Sequence, residues 1–480
     1  MIEIPETRGA LIPEWADKEE LERKLKGLGW EDGRKYGLVE ELLLESFIHD
    51  KIFEEKFKEL NESLLEDLTE AEKREVLDHV RNILKNATEE SLLEYLKNGI
   101  QYTVKRRESR TFRLIDYDNP ENNSFIYARE IKYLGKPTNI KPDFSLFVNG
   151  LPLAIIEVKP STQEESEEEA VKQIRRYEEE SPELFRYTQL GVAYGQRKLF
   201  LPTYPNWSKE KRLEPAQPWK VEKHEGKNIV KIESIEHLLQ PSTLLNLIKW
   251  YTFFREKDGS LSKVIGRYNQ YIATEKALQR IGSYLDKKEE VDRGLIWHWQ
   301  GSGKTYTMFF IANKFFEEYF ERNPVVIFVL DRRDLQKQLL EDFLEAIKAP
   351  KFKDYLKLIE SIDELKNEIA TIKRSEYRHN IITKRIYVVL VQKFKREEIE
   401  DLLLDLAREQ IQYLQQSDPE KYEEVQKELA SLPEDEKKKK LIEMGGIQKR
   451  ETLLLIDEAH RSQYGLLASM MKNVFPRAVR

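Results

Sequence analysis

Three charged residues interrupt an otherwise apolar stretch, KPDFSLFVNGLPLAIIEVKP, running from Lys141 to Pro160. Asp143 opens one apolar run, Glu157 and Lys159 close the next, and Asn149-Gly150 between them is a favoured tight-hairpin dipeptide. Residues two apart on a strand project from one face, so Glu157 and Lys159 point the same way. Asp143, on the partner strand, can bring its carboxylate to the same edge. Two carboxylates and an ammonium there suit Mg²⁺-dependent phosphodiester cleavage. Asp143 and Glu157, with a Leu or Val backbone carbonyl, would bind the metal, and Lys159 would orient or deprotonate the attacking water. Asp and Glu-x-Lys at a charged strand end also occur in many chains without such a role, so the pattern alone specifies little.

A second constellation lies in WHWQGSGKTYT. The turn Gly301-Ser302-Gly303 lets the backbone curl so that its N–H groups surround phosphate oxygens at a helix amino terminus. Lys304 would reach the β- and γ-phosphates of ATP, and the Thr305 hydroxyl would ligate Mg²⁺. The position at which this loop usually carries its first glycine holds His298. Downstream, LLLIDEAHRSQYG is an apolar strand ending in Asp457-Glu458-Ala459-His460. A carboxylate at the tip of a parallel strand lies in the crevice beside the phosphate loop. Asp457 would hold Mg²⁺ through water, Glu458 would polarise the attacking water, and His460 would couple nucleotide state to a DNA track.

These residues need elements to hold them. Residues 15–98 show apolar positions at helical spacing, as in LVEELLLESFIHDKIFEEKFKEL, whereas Tyr102 to Lys159 reads as strands. The helix STQEESEEEAVKQIRRYEEE and the strands YTQLGVAYG and KLFLPTY follow, giving an α+β domain over 1–240. Residues 241–265 read as a linker or bridging segment. Over 266–480, GLIWHWQ, PVVIFVLD, RIYVVLVQKF and ETLLLIDEAH alternate with helices, the pattern of a doubly wound parallel sheet. A charged, helix-rich insertion over 395–450, containing EDEKKKK, reads as a solvated helical hairpin. The 480 residues suffice for about two to four domains. The absence of cysteine removes disulfides and cysteine-based zinc sites and suits a reducing cytoplasm. No signal peptide or membrane-length apolar run is evident, so a cytoplasmic chain is expected. The net charge of -7 does not mark a nucleic-acid binder, though local basic grooves can still hold DNA.

Pro142-Asp143 followed by Glu157-Val158-Lys159 resembles the PD-(D/E)xK nuclease fold. Gln173 and Tyr177, four apart on the next helix, look like the Gln-x-x-x-Tyr motif of its RecB-like branch, which implies that they steady DNA and active site. An upstream helix glutamate usually completes such a metal site, and Glu19, Glu20, Glu40 and Glu41 compete for that place. The phosphate loop and Asp457-Glu458-Ala459-His460 resemble the first, RecA-like motor lobe of DEAH-type superfamily 2 helicases. That likeness implies that Gln270, in RYNQYIATEKAL, reads the adenine edge, with Tyr268 or Tyr271 packing on the base. It also makes Arg332, Arg333, Gln392 and Lys393 candidate DNA contacts. Nuclease and lobe together resemble the restriction (R) subunit of type I restriction-modification enzymes over nearly the whole chain, through DNPENNSFIYAREI, PDFSLFVNGLPLAIIEVK, IWHWQGSGKTYTM, VLDRRDLQKQ and IDEAHRSQYG in that order. The resemblance implies an ATP-driven translocase and endonuclease acting on double-stranded DNA, with modification (methyltransferase) and specificity subunits as partners. The chain departs from the pattern in the length of the 395–450 insertion and in reaching Arg480 before the next helicase motif. From that second departure, ATP binding is expected to be weak and hydrolysis slight without a second lobe. A stand-alone helicase-nuclease and a catalytically idle docking fragment are the alternatives.

Overall fold

A mixed seven-stranded sheet organises the first of the two units into which the chain divides, residues 1–269 and 270–480. The computed structural model describes residues 13–104, 108–204, 215–225, 228–257, 260–288, 290–299, 301–330, 354–378, 384–390, 396–457 and 471–480. In both chain and spatial order the strands are β1 (Glu31–Asp32), β2 (Phe125–Arg129), β3 (Phe144–Val148), β4 (Leu151–Val158), β5 (Leu190–Tyr194), β6 (Lys198–Pro202) and β7 (Gln217–Pro218). β3 and β4 form the antiparallel hairpin, with Phe144 opposite Ile156 and Val148 opposite Leu151. β4 runs parallel to β5, where Glu157 faces Ala193. Every residue of β3, β4 and β5 is buried, which explains their continuous apolar sequence: central strands are covered on both faces.

Two helices position the site. α1 (Glu14–Gly27) buries Asp17, Lys18, Leu21, Glu22 and Leu25. α2 (Ser166–Glu180) packs on β4 and β5 through Ala170, Ile174 and Tyr177, a helical stripe that joins the core around Phe147, Ile155 and Ala193. Residues 241–265, expected as a bridging segment, are built into this first unit. Leu244, Leu245, Leu247, Ile248, Tyr251, Phe253 and Phe254 are all buried, and the hairpin Thr252–Lys257/Ser260–Ile265 packs on β6.

The second unit is built on a four-stranded, all-parallel sheet of β8 (Val325–Leu330), β9 (Leu356–Ile359), β10 (Arg385–Leu390) and β11 (Thr452–Ile456), in spatial order β9-β10-β8-β11. α3 (Tyr268–Leu285) precedes the sheet, α4 (Lys304–Glu318) leads into β8, and α5 (Ile362–Tyr377) follows β9. The strand expected over GLIWHWQ is not formed at residues 294–299, where Trp297 and Trp299 are each 84% exposed. The aromatic run favours a strand, but pairing decides, and these residues lack a strand partner among the described residues. The sheet's backbone contacts continue instead through Val479, bridged to Leu453, and through Arg480, whose N–H donates to Asp292 O and whose carbonyl accepts from Gly294 N.

The 395–450 insertion contains α6 (Arg396–Ser417), α7 (Pro419–Ser431) and α8 (Glu434–Gly445). It is only partly the solvated hairpin expected: Ile399, Leu403 and Leu406 of α6 lie in the core cluster with Val325, Ile327 and Val389. Among the described residues no helix is long and apolar enough to cross a membrane.

Candidate functional site

The hairpin brings Asp143, Glu157 and Lys159 together. Asp143 Oδ2 accepts the Val158 N–H at 2.7 Å, so its carboxylate reaches across the strand pair to the backbone between Glu157 and Lys159. Lys159 Nζ donates to Glu157 Oε1 at 3.0 Å. Glu157 is 1% exposed, and its Oε2 is a buried oxygen with no hydrogen-bond partner. Burial, reinforced by the neighbouring Asp143 charge and opposed by Lys159, pushes Glu157 up to about 8. Asp143 is also raised, first by burial, against the pull of Lys18 and the Val158 N–H. Two buried acids, both raised first by burial and one with an unpaired oxygen, form a donor set that a divalent cation would relieve. Among the described residues no group of three or more His, Asp or Glu side chains gathers as a metal cluster.

Gln173 Nε2 donates to Tyr177 OH at 2.6 Å, and that hydroxyl donates to Lys141 O at 3.0 Å, two residues before Asp143. The Gln-x-x-x-Tyr pair thus pins the backbone leading into the acid. None of the four upstream glutamates is bonded to either acid: Glu19 is exposed, Glu20 pairs with Lys24, Glu40 lies 3.7 Å from Arg129, and Glu41 pairs with Lys132 and Lys141. The side chain that α1 does deliver is Lys18, whose Nζ lies 2.5 Å from Asp143 Oδ1 and 2.9 Å from both Glu130 and Glu14. Burial alone would lower Lys18, and its carboxylate partners more than reverse that, holding it protonated. The legible signal was a Glu14–Lys18 pair at helical spacing on the buried Leu21 and Leu25 face of α1.

In the second unit Gly301 and Gly303 adopt positive φ values of 79° and 81°, the left-handed turn the sequence required, and α4 starts at Lys304. Ser302 closes the turn, its N–H and hydroxyl returning to Trp299 O at 3.2 and 2.6 Å. The buried Gln270 places Nε2 3.4 Å from Ser302 O and 3.2 Å from Gly303 O, so α3 braces the loop. His298 Nδ1 sits 3.5 Å from Thr307 Oγ1, inside the first turns of α4. Lys304 is half-buried and Thr305 exposed at the helix start. α4 packs on β8 and β11, and Asp457 directly follows β11 with its N–H on Val329 O at 3.1 Å. Asp457 thus stands at the carboxyl end of β11, the end at which parallel sheets take ligands. Tyr268, offered with Tyr271 as a base-packing ring, has the Lys220 and Lys231 ammonium groups 6.0 and 5.6 Å from its centroid. Glu458, His460, Arg332, Arg333, Gln392 and Lys393 lie outside the described residues.

Comparison with known proteins follows this division. Residues 16–210 match the family described as type I restriction enzyme R protein N terminus, and residues 269–480 match the SWI2/SNF2 ATPase family. Two proteins of Methanocaldococcus jannaschii, whose names describe them as MjaVIIP and MjaVIIIP type I restriction enzyme endonuclease subunits, are 43% and 37% identical over 439 and 475 residues, which is 81% and 98% of this chain. The HindI type I restriction enzyme endonuclease subunit of Haemophilus influenzae is 28% identical over 345 residues, 67% of this chain and 32% of that protein. The chain spans 41% of the length of each of the two Methanocaldococcus relatives. The first unit thus matches the type I restriction enzyme R-protein N terminus and the second an SWI2/SNF2 ATPase, and over most of its own length the chain is similar to proteins named type I restriction enzyme endonuclease subunits.

Proposed function

We propose that this chain carries the Mg²⁺-dependent endonuclease centre and the first ATPase lobe of a type I restriction enzyme, a PD-(D/E)xK restriction-endonuclease-like domain followed by a RecA-like lobe of the DEAH kind. The complete enzyme would move along double-stranded DNA at the expense of ATP and cleave unmodified foreign DNA, with modification and specificity subunits as partners. The observation that carries this reading is the strand edge where Asp143 holds the Val158 N–H beside the unpartnered Glu157 Oε2 and the Lys159 ammonium.

In this reading Asp143, Glu157 and the Val158 carbonyl hold the cation. When bound, Mg²⁺ supplies an activated water and charge stabilisation on the scissile phosphate. Lys159, tethered to Glu157, orients that water and holds its proton, while Gln173 and Tyr177 fix the Lys141 backbone and so the approach of Asp143. At the second site the N–H groups from Gly301 to Thr305 surround the phosphates and Lys304 neutralises them. Thr305 and Asp457 hold the nucleotide's Mg²⁺, Glu458 orients water, and Gln270 links base recognition to the loop it braces. Arg332, Arg333, Gln392 and Lys393 are the proposed DNA contacts.

The test uses the assembly reconstituted with modification and specificity subunits and given unmodified DNA. Asp143→Asn should abolish cleavage and leave ATP turnover in place, whereas Lys304→Ala should lose both. Cleavage that survives in either variant removes this reading.

A further inference from the structure

The site contains one residue that neither the sequence motif nor the proposed chemistry uses. Lys18 is 9% exposed, yet its ammonium contacts three carboxylates: Asp143 Oδ1 at 2.5 Å, Glu130 Oε1 at 2.9 Å and Glu14 Oε1 at 2.9 Å. Both oxygens of Asp143 are engaged, Oδ2 by the Val158 N–H and Oδ1 by Lys18. A divalent cation that takes Asp143 must therefore share an oxygen with an ammonium or displace it, and two cations on one carboxylate oxygen repel strongly where water is scarce. Displacement has a low cost here. If Lys18 leaves Asp143, it keeps Glu14 from its own helix and Glu130 from the turn after β2, so no buried charge is left unpaired.

We propose that Lys18 is a positioning residue of the nuclease centre, an internal counter-cation that holds Asp143 in place and yields it to the divalent ion by passing to Glu14 and Glu130. The inference rests on the reading of Asp143 and Glu157 as the metal-holding acids. It makes metal affinity a balance between two cations, and it assigns α1 a part in setting that balance.

The experiment is Mn²⁺ binding to the 480-residue chain, read by the electron paramagnetic resonance of free Mn²⁺ and by the Mn²⁺-induced rise in Tm. Lys18→Met removes the competitor and should bind Mn²⁺ at least about tenfold tighter than wild type, with a larger rise in Tm. Lys18→Gln keeps a polar partner for Glu130 and carries the same expectation if the Met variant does not fold. Lys18→Arg, which retains the charge, should return affinity towards wild type, a rescue that a purely steric role would not give. Glu14→Gln combined with Glu130→Gln leaves Lys18 no alternative partner and should weaken binding. Folded neutral variants that bind Mn²⁺ no more tightly than wild type overturn the proposal, as does an unchanged affinity in the double Gln variant. Asp143→Asn separates the two levels: if it binds Mn²⁺ like wild type, the metal reading itself is wrong and the inference falls with it.

Discussion

At the scale of single residues, the structure holds charge where burial makes charge expensive. Asp143 and Glu157 are 7% and 1% exposed, and such acids persist only with hydrogen bonds and counter-charge arranged around them. Their place in the sequence was legible because they break continuous apolar runs at a spacing that a hairpin converts into proximity. Lys18 was not legible as their partner, since nothing local links an N-terminal helix to a strand edge so far along the chain. In the phosphate loop the residue-level demand is conformational. Gly303 has φ 81°, and a Cβ there would run into the Gln270 amide. Gly303→Ala should therefore cost about 1–2 kcal/mol of stability and lose most ATP affinity, checked by thermal melts and nucleotide titration. Lys304 is half-buried at the start of α4 and outside the core, so Lys304→Ala should weaken ATP binding by at least about tenfold with Tm unchanged.

At the scale of elements, the register of the β3–β4 hairpin sets the site, because a slip of one residue would turn Glu157 and Lys159 to the opposite face. The turn is over-determined. Asn149, at φ 52°, donates Nδ2 to Leu114 O at 2.9 Å and to Asn123 Oδ1 at 2.8 Å, and accepts the Ser124 N–H at 2.8 Å. Asn149→Ala strands these buried partners and should destabilise the chain by about 2–3 kcal/mol in denaturant titration. The Asn-Gly dipeptide announced the turn, but not that its side chain would be the hub of a network. Other elements were misread for physical reasons. Residues 241–265 looked like a bridge because an irregular stretch with Pro and Trp leads into them, whereas their Leu, Ile and Phe side chains are core. α6 looked solvated because charges crowd its outer face, while Ile399, Leu403 and Leu406 keep helical spacing on the inner one.

The hairpin over 252–265 is pinned to the sheet by Lys263, fully buried, which donates to Thr188 O at 3.3 Å and Thr203 O at 3.1 Å. Burial, only partly opposed by Glu178, pushes its ammonium from 10.5 down to about 7. Between those values the unfolded chain binds a proton that the folded chain does not, so this group makes stability rise with pH from about 7 towards 10.5, and the full penalty applies below 7. The stability of Lys263→Met relative to wild type should accordingly be highest at or below pH 7 and fall as pH rises through that window. Parallel denaturant titrations of both proteins check it, and a pH-independent difference would contradict it.

At the scale of the whole molecule, the two candidate sites fall in separate units, and the chain spans about two fifths of the length of the two Methanocaldococcus relatives. The net charge of -7 gives no hint of a DNA partner, so any DNA grip must come from local groups such as the proposed Arg332, Arg333, Gln392 and Lys393. The division of labour is nonetheless testable on this chain alone, because each site is assembled within its own unit. The most direct measurement is Mg²⁺-dependent nicking of supercoiled plasmid by the purified 480-residue chain and by its Glu157→Gln variant, with ATP binding measured on the same preparations. The account predicts nicking by the wild type, loss of nicking in the variant, and equal ATP affinity in both. A Glu157→Gln chain that nicks at the wild-type rate would contradict it.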